Sequence, residues 1–387
     1  LLKHNNSIFE TIYRNYIFLT ILRRFMLKLS DLKTDCRYFR GDVPCRQNKQ
    51  FGVTCDKCEF YKNTDSKILI IKLGAAGDVI RTTPLLNPIK NEYPNSKIYW
   101  LTYTPELVPV NSEYSADVVL KCDFTSVMYL KEIEFDVVIN LDKDREAISL
   151  MSVLKSKKYF GFTIKDGLCS PVNKLAEHKF LTGVFDNLSK GNKKSYLTEI
   201  FEICGHKFNN EKYILELDYK YDMKWGIDTG KKVVGLNTGC GERWTSRLWS
   251  DDNWIMLINT LTDNGYEVIL LGGKQEDEKN KLYAEKSNAK YFGHFPLKVF
   301  LNLVNKCELI ITQVTMTMHI AIGLDKKLLL MNNIFNPNEY ELYGNGEIIQ
   351  PQKECKCYFS PKCVNTDYKC MDHLFPEDVY NSAVKLL

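Results

Sequence analysis

The chain has 387 residues, 44% hydrophobic and 26% charged, an ordinary globular composition whose length predicts two domains with small appendages. A formal net charge of +4 gives no footprint for nucleic acid and leaves a slight bias toward anionic small molecules or a membrane surface. No uncharged apolar stretch is long enough to predict a transmembrane helix.

The chain begins with Leu1, and Met26 offers an alternative start. Residues 8–25 are apolar but carry Glu10, Arg14, Arg23 and Arg24, which fits an amphipathic helix lying on an anionic membrane or packed on protein. A loop-rich, cysteine-rich stretch follows. From Lys67 the pattern becomes strand, loop, helix. Buried strands are predicted at 67–73, 97–103, 116–120, 135–141 and 158–162, with helices at 84–93 and 144–154. Residues 206–230 lose this rhythm. It restarts with strands at 231–237, 267–273, 289–293, 308–313 and 327–333, and helices at 251–264, 274–287, 297–306 and 317–324. This alternation predicts an α/β chain with two doubly wound parallel sheets, Rossmann-like, facing each other across a cleft. Ligands then bind beyond the carboxyl ends of the strands. The predicted organisation is an N-terminal extension (1–35), a cysteine-rich segment (36–62), a first Rossmann-like domain (63–215), a linker (216–230), a second such domain (231–350), a second cysteine-rich segment (351–374) and a closing helix (375–387).

The first βα loop, IIKLGAAGDVIRTTPLL (70–86), reads G-x-x-G-D where the dinucleotide fingerprint would read G-x-G-x-x-G. Gly74 and Gly77 let the backbone turn sharply and approach a ligand. Asp78 has two readings: the cap of a helix that starts there, with Pro84 kinking it, or a general base at the cleft mouth. Lys72 and Arg81 flank it and could steer anions.

The order of motifs resembles family 9 glycosyltransferases, the heptosyltransferase group of lipopolysaccharide assembly. ILIIKLGAAGDVIRTTPLL resembles the family's opening; WLTYTPE (100–106) and FDVVINLD (135–142) follow in the family's order. GLNTGCGERWTSRLWSDDNW (235–254) is similar to its glycine loop and basic-x-Trp motif, VILLGGKQEDE (268–278) to its Gly-Gly strand end, and ITQVTMTMHIAIGL (311–324) to its donor loop. The resemblance implies a GT-B fold and inverting transfer of a heptose or related sugar from a nucleotide-diphosphate donor to a glycan or glycolipid hydroxyl. It puts the general base on Asp78. A departing diphosphate needs cations and N–H donors. Thr238, Gly239, Cys240 and Gly241 form a flexible loop suited to phosphate, and Arg243 and Arg247 could bind its oxygens or serve only in surface ion pairs. Arg247 matches the family's basic position. Gln275 or Glu276 stands where the family has a carboxylate facing the nucleoside, and Thr315 and His319 fall in the donor loop. That loop reads Val314-Thr315-Met316 where the family usually has Asp-Thr/Ser-Gly, so the donor sugar and base stay open. On the acceptor side, Asp142 follows a strand and is expected to line the cleft with Lys72, Gly74, Gly77 and Arg81.

Thirteen cysteines, an odd number, argue against a fully paired secreted framework. Eight fall in two clusters, Cys36, Cys45, Cys55 and Cys58, and Cys355, Cys357, Cys363 and Cys370. Four thiolates in a loop-rich segment suit a structural zinc or iron, with disulfides or free thiols as alternatives. Iron-containing autotransporter heptosyltransferases are similar in placing a cysteine cluster after the donor domain; the N-terminal cluster is not part of the common pattern. No catalytic metal and no nucleic-acid partner are expected. The location expected is cytoplasmic, peripheral on the inner membrane face through the N-terminal segment. A nucleotide-sugar-binding protein without transfer activity and a GT-B nucleotide-sugar epimerase are the competing functions.

Overall fold

The computed structural model describes residues 27–387, and the apolar stretch 8–25 lies outside the described residues. The chain divides into two compact units, Leu1–Asp65 and Ser66–Leu387. The described part of the first unit holds two 3-10 turns (Leu29–Asp31, Cys55–Lys57), one short helix (Arg46–Phe51) and an isolated antiparallel bridge between Cys36 and Asn63. None of its described residues is buried.

The second unit is built on two six-stranded sheets. The first comprises β1 (Ser66–Ile71), β2 (Ser96–Thr102), β3 (Val118–Lys121), β4 (Glu134–Asn140), β5 (Lys155–Lys165) and β6 (Leu168–Pro171), in the order β3-β2-β1-β4-β5-β6. The second comprises β7 (Val233–Asn237), β8 (Glu267–Leu271), β9 (Lys290–Tyr291), β10 (Leu309–Gln313), β11 (Lys327–Met331) and β12 (Gly346–Ile349), in the order β12-β11-β10-β7-β8-β9. All pairings are parallel except β5 with β6. The central strands are apolar on both faces because helices cover both. Alternate side chains of β1 divide accordingly. Ile68 and Ile70 pack with Val79, Ile98 and Trp100, and Leu69 and Ile71 pack with Tyr99, Phe135 and Met151. The layer holding Ile68 and Ile70 continues without a break to Ile269, Ile310 and Leu330 of the second sheet, so one core joins the two halves. The helix Ala76–Thr82, from the first half, packs on Met316–Gly323, from the second, within that shared layer.

Most predicted strand ends move by one or two residues. The larger differences have local causes. The helix expected over 84–93 is instead a helix at Ala76–Thr82, a 3-10 turn at Thr83–Leu85 and a second helix at Leu86–Glu92. Pro84 has no N–H and crowds the preceding turn, so the α-helix cannot run through it. β5 extends well beyond 158–162 and turns back through Asp166 and Gly167, both at positive φ (52° and 78°), into the antiparallel β6. The helices Phe124–Lys131 and Tyr196–Ile203 were not expected. The closing helix, Pro376–Leu386, buries Val379 and Ala383 against Trp254 and Leu257 of the second half. No described helix is long and apolar enough to cross a membrane.

Candidate active site

A cleft of about 580 Å³ opens between the two halves of the second unit. Ala75, Ala76, Gly77, Asp78 and Thr104 line its first-domain wall. The helix Ala76–Thr82 starts at the carboxyl end of β1, and Asp78 stands in its first turn. One oxygen of Asp78 accepts a long bond from the Ala75 N–H (3.3 Å), closing the helix start; the other pairs with Arg81 Nε at 2.8 Å. The two readings of Asp78 are therefore compatible. Its side chain keeps 29% of its surface exposed and lines the cleft. Burial alone would raise its pKa, but the charges of Arg81 and Lys72 outweigh that and hold it at about 2. Arg81 lies over the Tyr196 ring, its Cζ 3.5 Å from the centroid.

Lys72 and Asp142, expected on the cleft wall, are instead a buried ion pair behind the loop, 4% and 5% exposed. Lys72 Nζ also donates to the Gly74 carbonyl (2.7 Å), and Asp142 accepts from the Leu73 N–H (2.5 Å). Burial raises the Asp142 pKa against the pull of Lys72. Because β1 and β4 are neighbours, the two charges meet at their carboxyl ends and fix the turn that presents Asp78. Gly74 supplies a carbonyl to that anchor, while Gly77 allows a close approach. A Cβ at residue 77 would lie 2.5 Å from Cδ2 of His319. His319 itself is buried, faces Tyr213 through Nδ1 (3.4 Å to the hydroxyl), and is held neutral with a pKa of about 3 by burial and by the nearby Arg81.

The second-domain wall is rich in glycine, with Gly239, Gly241, Gly272 and Gly273 among its residues. Asn237, at the carboxyl end of β7, donates through Nδ2 to the Gly239 carbonyl (2.9 Å) and to Thr312 Oγ1 (3.1 Å), and its Oδ1 accepts from the Thr317 hydroxyl (3.1 Å). Glu276 accepts from the Gly273 N–H (2.9 Å) and the Gly241 N–H (3.3 Å), and it fills the space that a Cβ at Gly239 would need, 2.2 Å from its Cγ. Arg247, 6% exposed, donates to the Val314 carbonyl and to the Cys240 carbonyl (3.3 Å), tying together two loops that line the cleft. Its Nε is buried without a partner among the described residues, and burial lowers its pKa from the usual arginine value. Thr315 is the N-cap of the helix Met316–Gly323, but its hydroxyl lies against Thr312 Oγ1 (3.0 Å) and gives no side-chain cap. The first-turn amides of that helix are thus left for another acceptor at the cleft.

Two expected donor residues lie elsewhere. Thr238 is fully buried, its hydroxyl on Asn280 Oδ1 (2.5 Å). It follows β7 in the alternating pattern that turns its side chain into the core. Arg243 is exposed and is not among the cleft-lining residues; its guanidinium rests 5.3 Å from the Trp244 ring centroid. Gly239, Cys240, Gly241, Gln275, Glu276, Thr315 and His319 all line the cleft. Residues not foreseen are Asn237, Trp244, Tyr196, Tyr213 and the apolar floor of Phe295, Leu297 and Phe300. An asparagine ending an apolar strand was the available signal, and it occurs in both halves. Asn140, ending β4, bonds the Asp142 carbonyl (3.0 Å) and the Phe162 carbonyl (2.8 Å).

The segment holding Cys355–Cys370 packs on the loop that carries Arg247. Ser246 donates its N–H to the Pro361 carbonyl (3.1 Å) and its hydroxyl to the Ser360 carbonyl (2.6 Å), Trp249 Nε1 donates to the Leu374 carbonyl (2.8 Å), and Trp244 meets Phe359 edge-on. Within it Cys357 and Cys363 sulfurs are 3.5 Å apart, and Asn333 Nδ2 reaches toward Cys355 (3.9 Å) and Cys370 (3.4 Å). A hydrogen bond from Cys355, with help from Asn333, lowers the Cys370 pKa despite its burial. Every described cysteine is free of disulfides, and no group of three or more His, Cys, Asp or Glu among the described residues already has a metal-holding arrangement.

Residues 127–369 match the sequence profile of glycosyltransferase family 9 (heptosyltransferase). The chain is 23% identical over 223 residues to lipopolysaccharide heptosyltransferase 3 of Escherichia coli (strain K12); the aligned part is 52% of this chain and spans 62% of that relative's length. Among solved structures, a family 9 glycosyl transferase from Veillonella parvula DSM 2008 superposes with a TM-score of 0.62 at 16% identity, covering 84% of this chain and 97% of that one. The ADP-heptose lps heptosyltransferase II of E. coli gives 0.59 at 15% identity, covering 83% and 98%. With a profile match over more than half its length, and with two parallel sheets in the GT-B arrangement of these structures, the chain belongs to glycosyltransferase family 9.

Proposed function

We propose that the protein is an inverting glycosyltransferase that moves a heptose or related sugar from a nucleoside-diphosphate donor to a glycan or glycolipid hydroxyl, at the inner face of the membrane. The observation that carries this reading is one cleft with a carboxylate, Asp78, on one wall, and a buried arginine and open helix amides on the other. The donor diphosphate lies against the loop of Gly239 and Cys240, the first turn of Met316–Gly323 and Arg247. The acceptor hydroxyl approaches from the Asp78 side. Its oxygen bonds to the anomeric carbon as the bond from that carbon to the diphosphate oxygen breaks, and Asp78 takes its proton. Attack from the wall opposite the leaving group inverts the anomeric carbon. Arg247 and the amides take up the charge of the leaving diphosphate, a task for which fixed donors suffice without a catalytic metal. The similarity to an ADP-heptose-using relative makes ADP-heptose the first donor to try. The thiols of Cys355, Cys357, Cys363 and Cys370 suit a structural zinc or iron that would stiffen the segment behind Arg247, apart from the chemistry.

Calorimetry with ADP-heptose and with ADP, followed by measurement of ADP release with truncated lipopolysaccharide acceptors, tests the proposal. Binding of both ligands and acceptor-dependent ADP release are expected. Binding without release would make the protein a nucleotide-sugar-binding protein, and failure to bind any nucleoside-diphosphate sugar of a wider panel would overturn the reading.

A further inference from the structure

The first unit presents a different problem from the second. Among its described residues none is buried, so its fold has no apolar core to hold it. Its ring contacts are peripheral: Phe51 stacks on Phe60 at 4.9 Å, with Phe51 itself 55% exposed. A segment of this size without a core needs a cross-link, a metal or a partner to fold. The same unit carries Cys36, Cys45, Cys55 and Cys58, all free of disulfides, and all four line one small cavity of about 20 Å³. The four come from separate local structures: the bridge to Asn63 (Cys36), the N-cap of Arg46–Phe51 (Cys45), the 3-10 turn Cys55–Lys57, and the residue just after it (Cys58). They are spread over 36–58, yet the fold brings all four to the lining of one cavity, though not yet into a metal-holding arrangement among the described residues. Gln47 and Lys33 are also among the residues that line the cavity. The oxygen of the Gln47 side chain is buried without a partner among the described residues, and the Lys33 ammonium lies 4.4 Å over the Tyr61 ring.

We infer that this unit is a four-cysteine metal module, in which one soft divalent cation, zinc or ferrous iron, binds Cys36, Cys45, Cys55 and Cys58 and supplies the folding energy that the missing core does not. Four thiolates around a dication suit tetrahedral coordination and leave two negative charges, and Lys33 is the cationic residue in the lining. The thiols lose their protons as the ion binds and draws the sulfurs inward, so binding and folding of the unit are coupled. This site is independent of the proposed transfer chemistry and of the thiols at 355–370.

The test uses the full chain, purified without chelator. Elemental analysis is compared between the wild type and a variant with Cys55→Ser and Cys58→Ser, and alkylation of each cysteine is followed by peptide mass spectrometry with and without chelator. The expected result is a loss of one metal equivalent in the variant, together with slow alkylation of Cys36, Cys45, Cys55 and Cys58 that becomes fast on chelation. Cobalt(II) taken up by the metal-depleted wild type should give a thiolate charge-transfer band that exceeds the variant's by the intensity of one four-thiolate site, whatever the thiols at 355–370 contribute to both. The metal lost between wild type and variant identifies the ion: zinc if no absorption is lost with it, iron if a thiolate–iron absorption is lost with it. Equal metal content in both proteins, fast alkylation of all four cysteines without chelator, or a mass deficit that reveals disulfides among them would each overturn the inference. The alkylation arm reads the wild type alone, so it decides the matter even if the variant fails to fold.

Discussion

On the first-domain wall of the cleft the group turned to the ligand space is a side chain, Asp78, anchored through its neighbours Ala75 and Arg81. On the second-domain wall Asn237, Glu276 and Arg247 turn inward and bond to the peptide groups of the loops, and four glycines stand among the lining residues. The difference matches two chemical tasks. A single proton acceptor must be one group with a defined basicity, whereas a diphosphate with many oxygens is best met by several fixed donors. It follows that damage to the second wall should weaken donor binding, and damage to the first should slow turnover or change its pH dependence.

The largest effect expected on the second wall is that of Arg247→Ala. It removes a cation and leaves the carbonyls of Val314 and Cys240 without their donor. A charge-assisted bond is worth about 1.5–3 kcal/mol, so ADP affinity by calorimetry should fall roughly 10- to 100-fold. An unchanged affinity would mean that this wall does not hold the diphosphate. On the first wall, Arg81→Gln sharpens the contrast. In the wild type Asp78 titrates at about 2, so it is ionised throughout the working range and kcat/KM should show no acidic limb near neutrality. Without the guanidinium, burial is less strongly opposed and the Asp78 pKa rises. The variant should therefore lose activity as pH falls through that raised pKa, while its affinity for ADP stays near the wild-type value. The smallest effect is expected at Arg243, which lies outside the cleft lining. Arg243→Ala should leave ADP affinity within about twofold, in line with surface substitutions elsewhere. A larger loss would return this arginine to the donor site.

Much of the fold was legible because its signals are local. Apolar, β-branched runs mark β1, β4, β7 and β10, and the order of the motifs that follow them carries the family resemblance. What sequence could not show was pairing at a distance. Lys72 and Asp142 are 70 positions apart and look like two cleft-facing charges until β1 and β4 are seen side by side. Thr238 and Gly239 look equally suited to phosphate contact, but only the glycine lines the cleft, because the side chain of Thr238 continues the core-facing pattern of β7. Arg243 and Arg247 differ in the same way: one side chain reaches across to Val314, and the other lies outside on Trp244. The Asp166-Gly167 hairpin was written in the sequence, but β5 is rich in lysine on its exposed edge and does not read as a long buried strand.

The central claim is that Asp78 takes the acceptor proton and contributes little to holding the donor. Asp78→Asn keeps the size of the side chain and removes its basicity, so ADP-heptose affinity and turnover measured on the same preparation separate the two roles. The account predicts a donor dissociation constant within about threefold of wild type and a turnover lowered by about 10²- to 10⁴-fold, the usual range for a lost general base. Turnover close to wild type, with donor binding intact, would contradict it.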